Sequence, residues 1–344
     1  MGGEITVWWG PDDMVSALGF GTEENMAAVR AMKSSLASWH DATPVCLIDR
    51  KRLGALAAEQ GLAGYTPLER LVLATLGGVV ARSGVTPADK RALIVLATTK
   101  GEIGSLGSAP ERCDLNRTAE VVGRYFGTAH RPLLISNACI SGVSAIVIAA
   151  RLIRSGRYDH VFVAGFDLLS DFIVSGFNAF KSVSPTLCRP YDAARDGLTL
   201  GEACGAVLLT RDRRLSGTGV SVAGGGISND ANHISAPSRT GDGLWYAIRA
   251  ALAEAGTGAG EVGLVNTHGT ATAYNDSQVS FWASDPKCRP ALQHGHLYSR
   301  TRVCSSMVFS SNHSFIYCMA QSTNTAAPVE RTLSSNFTFG WCWG

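Results

Sequence analysis

Two residues of this chain stand where their type and setting could do nucleophilic chemistry: Cys139 and His268. Cys139 lies in Leu133-Leu134-Ile135-Ser136-Asn137-Ala138-Cys139-Ile140-Ser141-Gly142, where an apolar run gives way to a stretch rich in Ala, Ile and Val. The pattern predicts a strand ending just before the cysteine and a long helix beginning just after it. The first N–H groups of a helix lack intrahelical acceptors and carry partial positive charge. A thiol there ionises more easily, and an oxyanion formed beside it is stabilised. Ala138, Ser141, Gly142 and Ser144 are small, so the helix can pack closely and leave room at the sulfur. The competing reading is a buried, inert thiol. That reading fits Cys188, in an expected loop, and Cys204, in an expected strand.

A cysteine nucleophile needs a base or a group that holds its charge. His268 is the candidate. It follows the apolar run that ends in Val265-Asn266-Thr267, and Gly269 permits a sharp turn that would aim the imidazole. A structural histidine is the alternative, but a strand end in an α/β layout is a common seat for catalytic groups.

The elements that must position these two residues follow from the apolar patterning. Strands are expected over residues 4–9, 92–97, 132–136, 160–165, 203–209 and 263–267, and helices over 67–83, 141–155 and 241–256. Continuous apolar strands between helices indicate an α/β protein with a buried, largely parallel sheet. A helix, a glycine break, a polar turn, a strand and a Thr-containing loop recur twice, over 73–101 and 247–269, about 170 residues apart. The recurrence fits a duplicated fold. A boundary is expected where Arg211-Asp212-Arg213-Arg214 and nearby glycines break the pattern.

Composition narrows the function classes. The 344 residues are 46% hydrophobic and 17% charged, which excludes disorder for the bulk of the chain. The net charge is +2 with no basic block, so nucleic acid is not an expected partner. No apolar run reaches membrane-spanning length, and the first residues show no charged-then-apolar leader pattern. The nine cysteines are irregularly spaced without a CxxC pair, so neither a disulfide framework nor a metal site is expected and the reducing cytoplasm is the default location.

The segments around Cys139 and His268 together resemble the β-ketoacyl-acyl-carrier-protein synthases, the condensing enzymes of the thiolase superfamily, and the elongating type fits better than the initiating one. Asn137-Ala138-Cys139-Ile140-Ser141-Gly142 is similar to their nucleophile motif. Arg189-Pro190-Tyr191-Asp192-Ala193-Ala194-Arg195-Asp196-Gly197, with Leu200-Gly201-Glu202-Ala203, is similar to the stretch between nucleophile and first histidine. Asn266-Thr267-His268-Gly269-Thr270-Ala271-Thr272, followed by Asn275-Asp276, is similar to the first-histidine motif.

The resemblance implies a thiolase-like, duplicated five-layered α/β/α/β/α fold and a homodimer. It implies no dissociable cofactor and an acyl carrier protein as partner, whose phosphopantetheine arm brings the substrates. Cys139 would take the acyl chain, and malonyl carrier would then lose CO₂ and attack it. His268 would support the charge that forms, and Thr270 and Thr272 would bind the phosphopantetheine arm. Arg151, Arg154 and Arg157, after the nucleophile helix, could meet an acidic carrier; a solvated basic surface is the plainer reading.

The pattern breaks after Asp276. The family's Lys and second His would fall near Tyr298 and Val303, and no Lys follows Lys287. His296 is the nearest substitute for the second histidine, ahead of His294 and His313, and Phe339 in Ser335-Asn336-Phe337-Thr338-Phe339-Gly340 is the candidate for the family's gating and oxyanion residue. From Ser277 onward there are twelve Ser and four of the nine Cys, and after Lys287 the only acidic residue is Glu330. The expected organisation is therefore a nucleophile half (1–212), the start of a histidine half (213–276), and a tail (277–344) that is either divergent or read in a shifted frame. The second half is truncated or divergent on this reading. An impaired homologue or non-catalytic dimer partner lacking the second His and Lys is the alternative to an active enzyme.

Overall fold

The computed structural model of the protein describes residues 5–40, 43–229, 241–266, 268–273, 275–277, 305–310 and 315–321. The elements of the first half are β1 (Val7–Ser16), β2 (Gly19–Phe20), α1 (Thr22–Arg30), β3 (Leu36–Trp39), β4 (Thr43–Cys46), α2 (Arg50–Glu59), α3 (Pro67–Ser83), β5 (Ala92–Ala97), α4 (Leu115–Phe126) and β6 (Leu133–Ile135). There follow α5 (Ser141–Arg154), β7 (His160–Asp167), α6 (Asp171–Ala179), β8 (Leu200–Gly201) and β9 (Ala203–Thr210). The described elements beyond are β10 (Val220–Ile227), α7 (Asp242–Ala255), β11 (Val262–Asn266), β12 (Ser305–Ser310) and β13 (Phe315–Gln321).

Helix α3 shows why its bounds were legible. Thr66 accepts from the Glu69 N–H at 3.2 Å, the Glu69 carboxylate accepts from the Thr66 N–H at 2.8 Å, and Pro67 opens the first turn. Gly84, at φ 65°, ends it in the left-handed conformation that a side chain resists.

Among the described residues the fold is an α/β arrangement around a ten-stranded sheet, whose main path runs β11-β12-β13-β10-β1-β9-β7-β5-β6. Alternate side chains of β5, β7 and β9 serve two cores. Leu93, Val95, Val161, Val163, Val207 and Leu209 pack against α5. Ile94, Leu96, Phe162, Ala164, Ala206 and Leu208 pack with the buried face of α3 on the other side. Burial on both faces is what makes these strands read as unbroken apolar runs.

The sheet is mixed rather than largely parallel. β5 runs parallel to β6 and β7, and β11 to β12. β9 returns antiparallel against both β7 and β1, and β10 and β13 continue in antiparallel register. An apolar run reports burial on two faces but not strand direction, so the direction was not available from the pattern.

β10 lies outside the expected strands, and Gly224-Gly225-Gly226 interrupt its apolar alternation. Its glycines let two helices close on it. A Cβ on Gly224 would lie 2.6 Å from the Ala251 carbonyl of α7, and one on Gly226 would overlap the Ala247 carbonyl. A Cβ on Gly225 would lie 2.5 Å from the Val147 side chain of α5. The same helices are laced at their ends. Arg151 and Arg154 reach Glu254 at 2.8 and 2.6 Å, Arg151 donates to Gly225 O at 2.8 Å, and Arg154 donates to the carbonyls of Val222 and Ala223. These two guanidiniums therefore tie α5 to α7 and to β10, and the Arg151 side chain stays half exposed.

Candidate active site

The cysteine is set by a turn more strained than the sequence shows. Ala138 has φ 50°, a left-handed conformation that an alanine adopts at a cost of about 1–2 kcal/mol. Ser141 holds it there. Its hydroxyl accepts from the Asn137 N–H at 2.8 Å and donates to the Ala138 carbonyl at 2.6 Å, while its own N–H reaches the same carbonyl at 3.2 Å. Cys139 thus sits two residues before the first helical residue of α5. Ile140, the N-cap, offers no capping side chain, so no cap neutralises the partial positive charge at the helix start.

Cys139 is half-buried. On one side it joins an apolar cluster of Leu169, Ile173, Val174, Leu198 and Leu200, with Phe177 and Val183 against it. On another it lines a cavity of about 10 Å³ with Thr98, Thr99, Ser141, Asp167 and Ala203. That volume is at the threshold for one water. The setting contrasts with that of Cys204, whose thiol burial pushes up to about 12, and of Cys46, pushed up to about 11. Both are expected to stay protonated and inert.

His268 follows β11, and Gly269, at φ 56°, makes the turn. A Cβ on Gly269 would lie 3.2 Å from Pro190 and 3.4 Å from the Tyr191 ring, so the loop lies directly on the 189–197 stretch. Hydrogen bonds fix it there. Gly197 N–H donates to Ala271 O at 3.1 Å, and Tyr191 N–H donates to Asp276 at 2.8 Å. Arg195 donates to the Ala273 carbonyl at 3.1 Å and to the Ser277 hydroxyl at 3.2 Å. Thr270 is buried, and its hydroxyl is shared with that of Thr272 at 2.9 Å.

The imidazole of His268 is only partly exposed, and its Nε2 is enclosed with no hydrogen-bond partner among the described residues. Loss of solvent pushes its pKa down to about 4, so the ring is neutral at pH 7. Leu198 and Leu200 of the segment under this loop belong to the apolar cluster against which Cys139 and Val183 pack. One stretch of chain, 183–200, therefore supports both candidate residues.

His296 and Phe339 lie outside the described residues, as do Tyr298 and Val303. Sequence reasoning passed over Asp167. It closes β7 beside Cys139 and accepts hydrogen bonds from the Thr98 hydroxyl (2.8 Å), the Thr99 hydroxyl (3.0 Å) and the Thr99 N–H (3.0 Å). Its only signal was a lone acid at the end of an apolar strand.

Two family models match the chain: Beta-ketoacyl synthase, N-terminal domain, over residues 62–214, and Beta-ketoacyl synthase, C-terminal domain, over 220–278. The chain is 32% identical over 252 residues to Nodulation protein E of Rhizobium meliloti (strain 1021), covering 67% of this chain and 60% of that protein. It is 36% identical over 150 residues to 3-oxoacyl-[acyl-carrier-protein] synthase 2 of the same organism, covering 40% of this chain and 36% of the relative. The chain thus spans less than two thirds of the length of these curated relatives. Among solved structures, the ketosynthase ApeO in complex with its chain length factor ApeC, from Xenorhabdus doucetiae, superposes with a TM-score of 0.75 at 22% identity, over 92% of this chain and 98% of that one. The ishigamide ketosynthase/chain length factor superposes with a TM-score of 0.77 at 20% identity, over 93% and 99%.

Proposed function

The chain belongs to the β-ketoacyl synthase family, and we propose that it is a cytoplasmic acyltransferase of fatty-acid or polyketide synthesis that loads an acyl chain onto Cys139. The observation that carries this reading is the common support of Cys139 and the His268 loop by segment 183–200. In the first step the Cys139 thiolate attacks the thioester carbonyl of an acyl carrier protein's phosphopantetheine arm. The new C–S bond forms, the old one breaks, and the pantetheine thiolate leaves and takes a proton. The positive end of α5 favours the thiolate and the oxyanion that follows.

In the second step malonyl carrier loses CO₂, and the electrons of that bond form an enolate. The enolate attacks the acyl group on Cys139, and the thiolate is released with a β-ketoacyl carrier as product. A neutral His268 with an unmatched Nε2 suits hydrogen bonding to the enolate oxygen. Thr270 and Thr272, next to it, would contact the phosphopantetheine arm. His296 and Phe339 stay candidates for the second histidine and the gate.

The family's second His and Lys have no clear counterpart, because their positions fall near Tyr298 and Val303 and the family match ends at 278. Acyl loading needs fewer groups than decarboxylation. The chain accordingly loads readily and condenses poorly, and a non-condensing dimer partner is the second reading. The nucleophile half is 1–212 and the histidine half starts at 213, with 277–344 as the departing tail. A second copy would pair along β6, which ends the sheet and exposes Leu133.

The test uses octanoyl-acyl carrier protein, with intact and peptide mass spectrometry. One acyl mass is expected on the Cys139 peptide and none in Cys139→Ala. Absence of loading overturns the acyltransferase reading; abundant β-ketoacyl product from malonyl carrier overturns weak condensation.

A further inference from the structure

We propose that Asp167 is a positioning residue for Cys139, its carboxylate gathering the Thr98–Thr99 loop and, through that loop, setting the turn that presents the thiol. The proposal deepens the site reading above and rests on it for its consequence in acyl transfer.

The path is continuous. Asp167 Oδ1 accepts from the Thr98 hydroxyl at 2.8 Å and from the Thr99 hydroxyl and N–H, both at 3.0 Å; its Oδ2 lies 3.1 Å from the same N–H. The clamped loop is tied in turn to the residues just before the nucleophile. Thr98 N–H donates to Ile135 O at 3.2 Å, and the Ser136 hydroxyl donates to Thr99 O at 3.0 Å. Asn137 then engages Ser141, which holds Ala138 in its strained conformation. Thr98, Thr99, Asp167 and Cys139 also wall the same small cavity. A strained alanine persists only where its surroundings hold it, and here the Asp167 clamp backs the Ser141 hydroxyl that holds the turn directly.

The clamp is tightest in the charged form. A carboxylate offers acceptors only, whereas a protonated acid adds a donor among groups that already donate. Burial pushes the pKa of Asp167 up to about 6, against the pull of the Thr98 and Thr99 donors and the Lys100 N–H. Other titratable groups lie on the elements around it. Cys139 stands on the α5 turn, and the Lys100 side chain is exposed beyond the loop. Cys204 on β9 feels both Asp167 and Asp13 of β1, and Asp13 is itself paired with Arg82 of α3 at 3.1 Å. Glu202 is buried just before β9 and is held by Arg50 and by the Ile48 and Leu169 N–H groups. Among these, Asp167 is the carboxyl that walls the Cys139 cavity.

The experiment follows iodoacetamide alkylation of Cys139 by peptide mass spectrometry from pH 8 to pH 5 on the full chain. Below the thiol's own pKa, thiolate ionisation alone gives a log-rate line of unit slope. The wild type is expected to fall below that line as Asp167 protonates, by about tenfold at pH 5 for a group titrating near 6. Asp167→Asn is expected to react more slowly throughout and to follow unit slope without the break. Thr99→Val should slow alkylation, and Thr99→Ser should restore it. Unit slope in the wild type down to pH 5, or a break that survives in Asp167→Asn, overturns the proposal. If Asp167→Asn fails to fold, the wild-type profile and the Thr99 pair decide the matter. Iodoacetamide needs no carrier, so the expected profile with no octanoyl loading would sink the acyltransferase reading alone.

Discussion

The loop after β5 and the loop after β11 are built alike and used differently. Each follows a helix closed by a left-handed glycine, Gly84 at φ 65° and Gly256 at φ 62°. Each makes its turn at another, Gly101 at φ 57° and Gly269 at φ 56°. In the first loop the Thr98 and Thr99 hydroxyls are both bound to Asp167. In the second, the His268 Nε2 is enclosed without a partner among the described residues. A buried polar atom normally finds a hydrogen bond inside the protein or in ordered water. A unit whose polar groups are all matched is doing structural service, and one that leaves an imidazole nitrogen unmatched is set up to meet something from outside. On the proposed function, the first loop serves as a brace and the second as a substrate-facing arm.

The most damaging way to break this comparison is to remove the support of the second unit. Gly226→Ala puts a methyl group onto the Ala247 backbone carbonyl, which cannot rotate away. A loss of about 3 kcal/mol or more is expected, at the upper end of overpacking costs, read as the shift of a urea unfolding midpoint. The lesion should spare alkylation of Cys139 in whatever protein stays folded. A variant as stable as wild type would show that α7 does not lie on β10 as closely as described.

Much of this was readable beforehand where local chemistry and tertiary fate agree. The bounds of α3 were legible because Thr66, Pro67 and Gly84 mark them, and β5 because both its faces are buried. The placing of Cys139 and His268 at strand ends was legible because each follows an apolar run. Three features were not. β10 hid because glycines chosen for helix approach look like a turn. The strand directions hid because burial carries no sign. Asp167 hid because its partners, Thr98 and Thr99, lie 69 and 68 residues away. The pairing of Arg151 and Arg154 with Glu254 hid for a related reason: a surface arginine and one that clamps a distant carboxylate look the same in a linear chain.

A smaller effect compares the two turn glycines directly. Alanine at either position must adopt a positive φ, which costs about 1 kcal/mol. At Gly101 the added Cβ would also lie 2.7 Å from the Leu115 side chain, whose end can move. At Gly269 it would lie 3.2 Å from the stiff Pro190 ring, a tighter fit than most but no overlap. Gly101→Ala should therefore cost about 1–2 kcal/mol and Gly269→Ala about 1 kcal/mol, measured by chemical denaturation. Their effects on function should run in the same order but differ more widely. Gly269→Ala, which moves the imidazole, should leave loading of Cys139 within about twofold, whereas Gly101→Ala, which disturbs the brace, should slow it. Equal loading rates in the two variants would erase the distinction between brace and arm.

The mildest test separates the two loops by the sign of their response to acid. His268 is held neutral, with a folded pKa of about 4 against 6.5 for an ordinary histidine. As pH falls below 6.5 the unfolded chain takes up a proton that the folded one refuses, so His268 withdraws stability down to about pH 4. Asp167 does the reverse. Its folded pKa of about 6 lies above the ordinary 3.8, so between these values the folded chain takes up the proton first. Its contribution is fully present below pH 3.8 and is lost as pH rises through 6. Relative to wild type, His268→Gln should hold its urea midpoint better as the pH drops from 6.5 to 4.5, and Asp167→Asn should lose it faster below pH 6. Subtracting the wild-type curve removes the other carboxylates from both comparisons. Two variants whose midpoints track the wild type in parallel would mean that neither group is shielded from solvent in the way that makes one loop a brace and the other an arm.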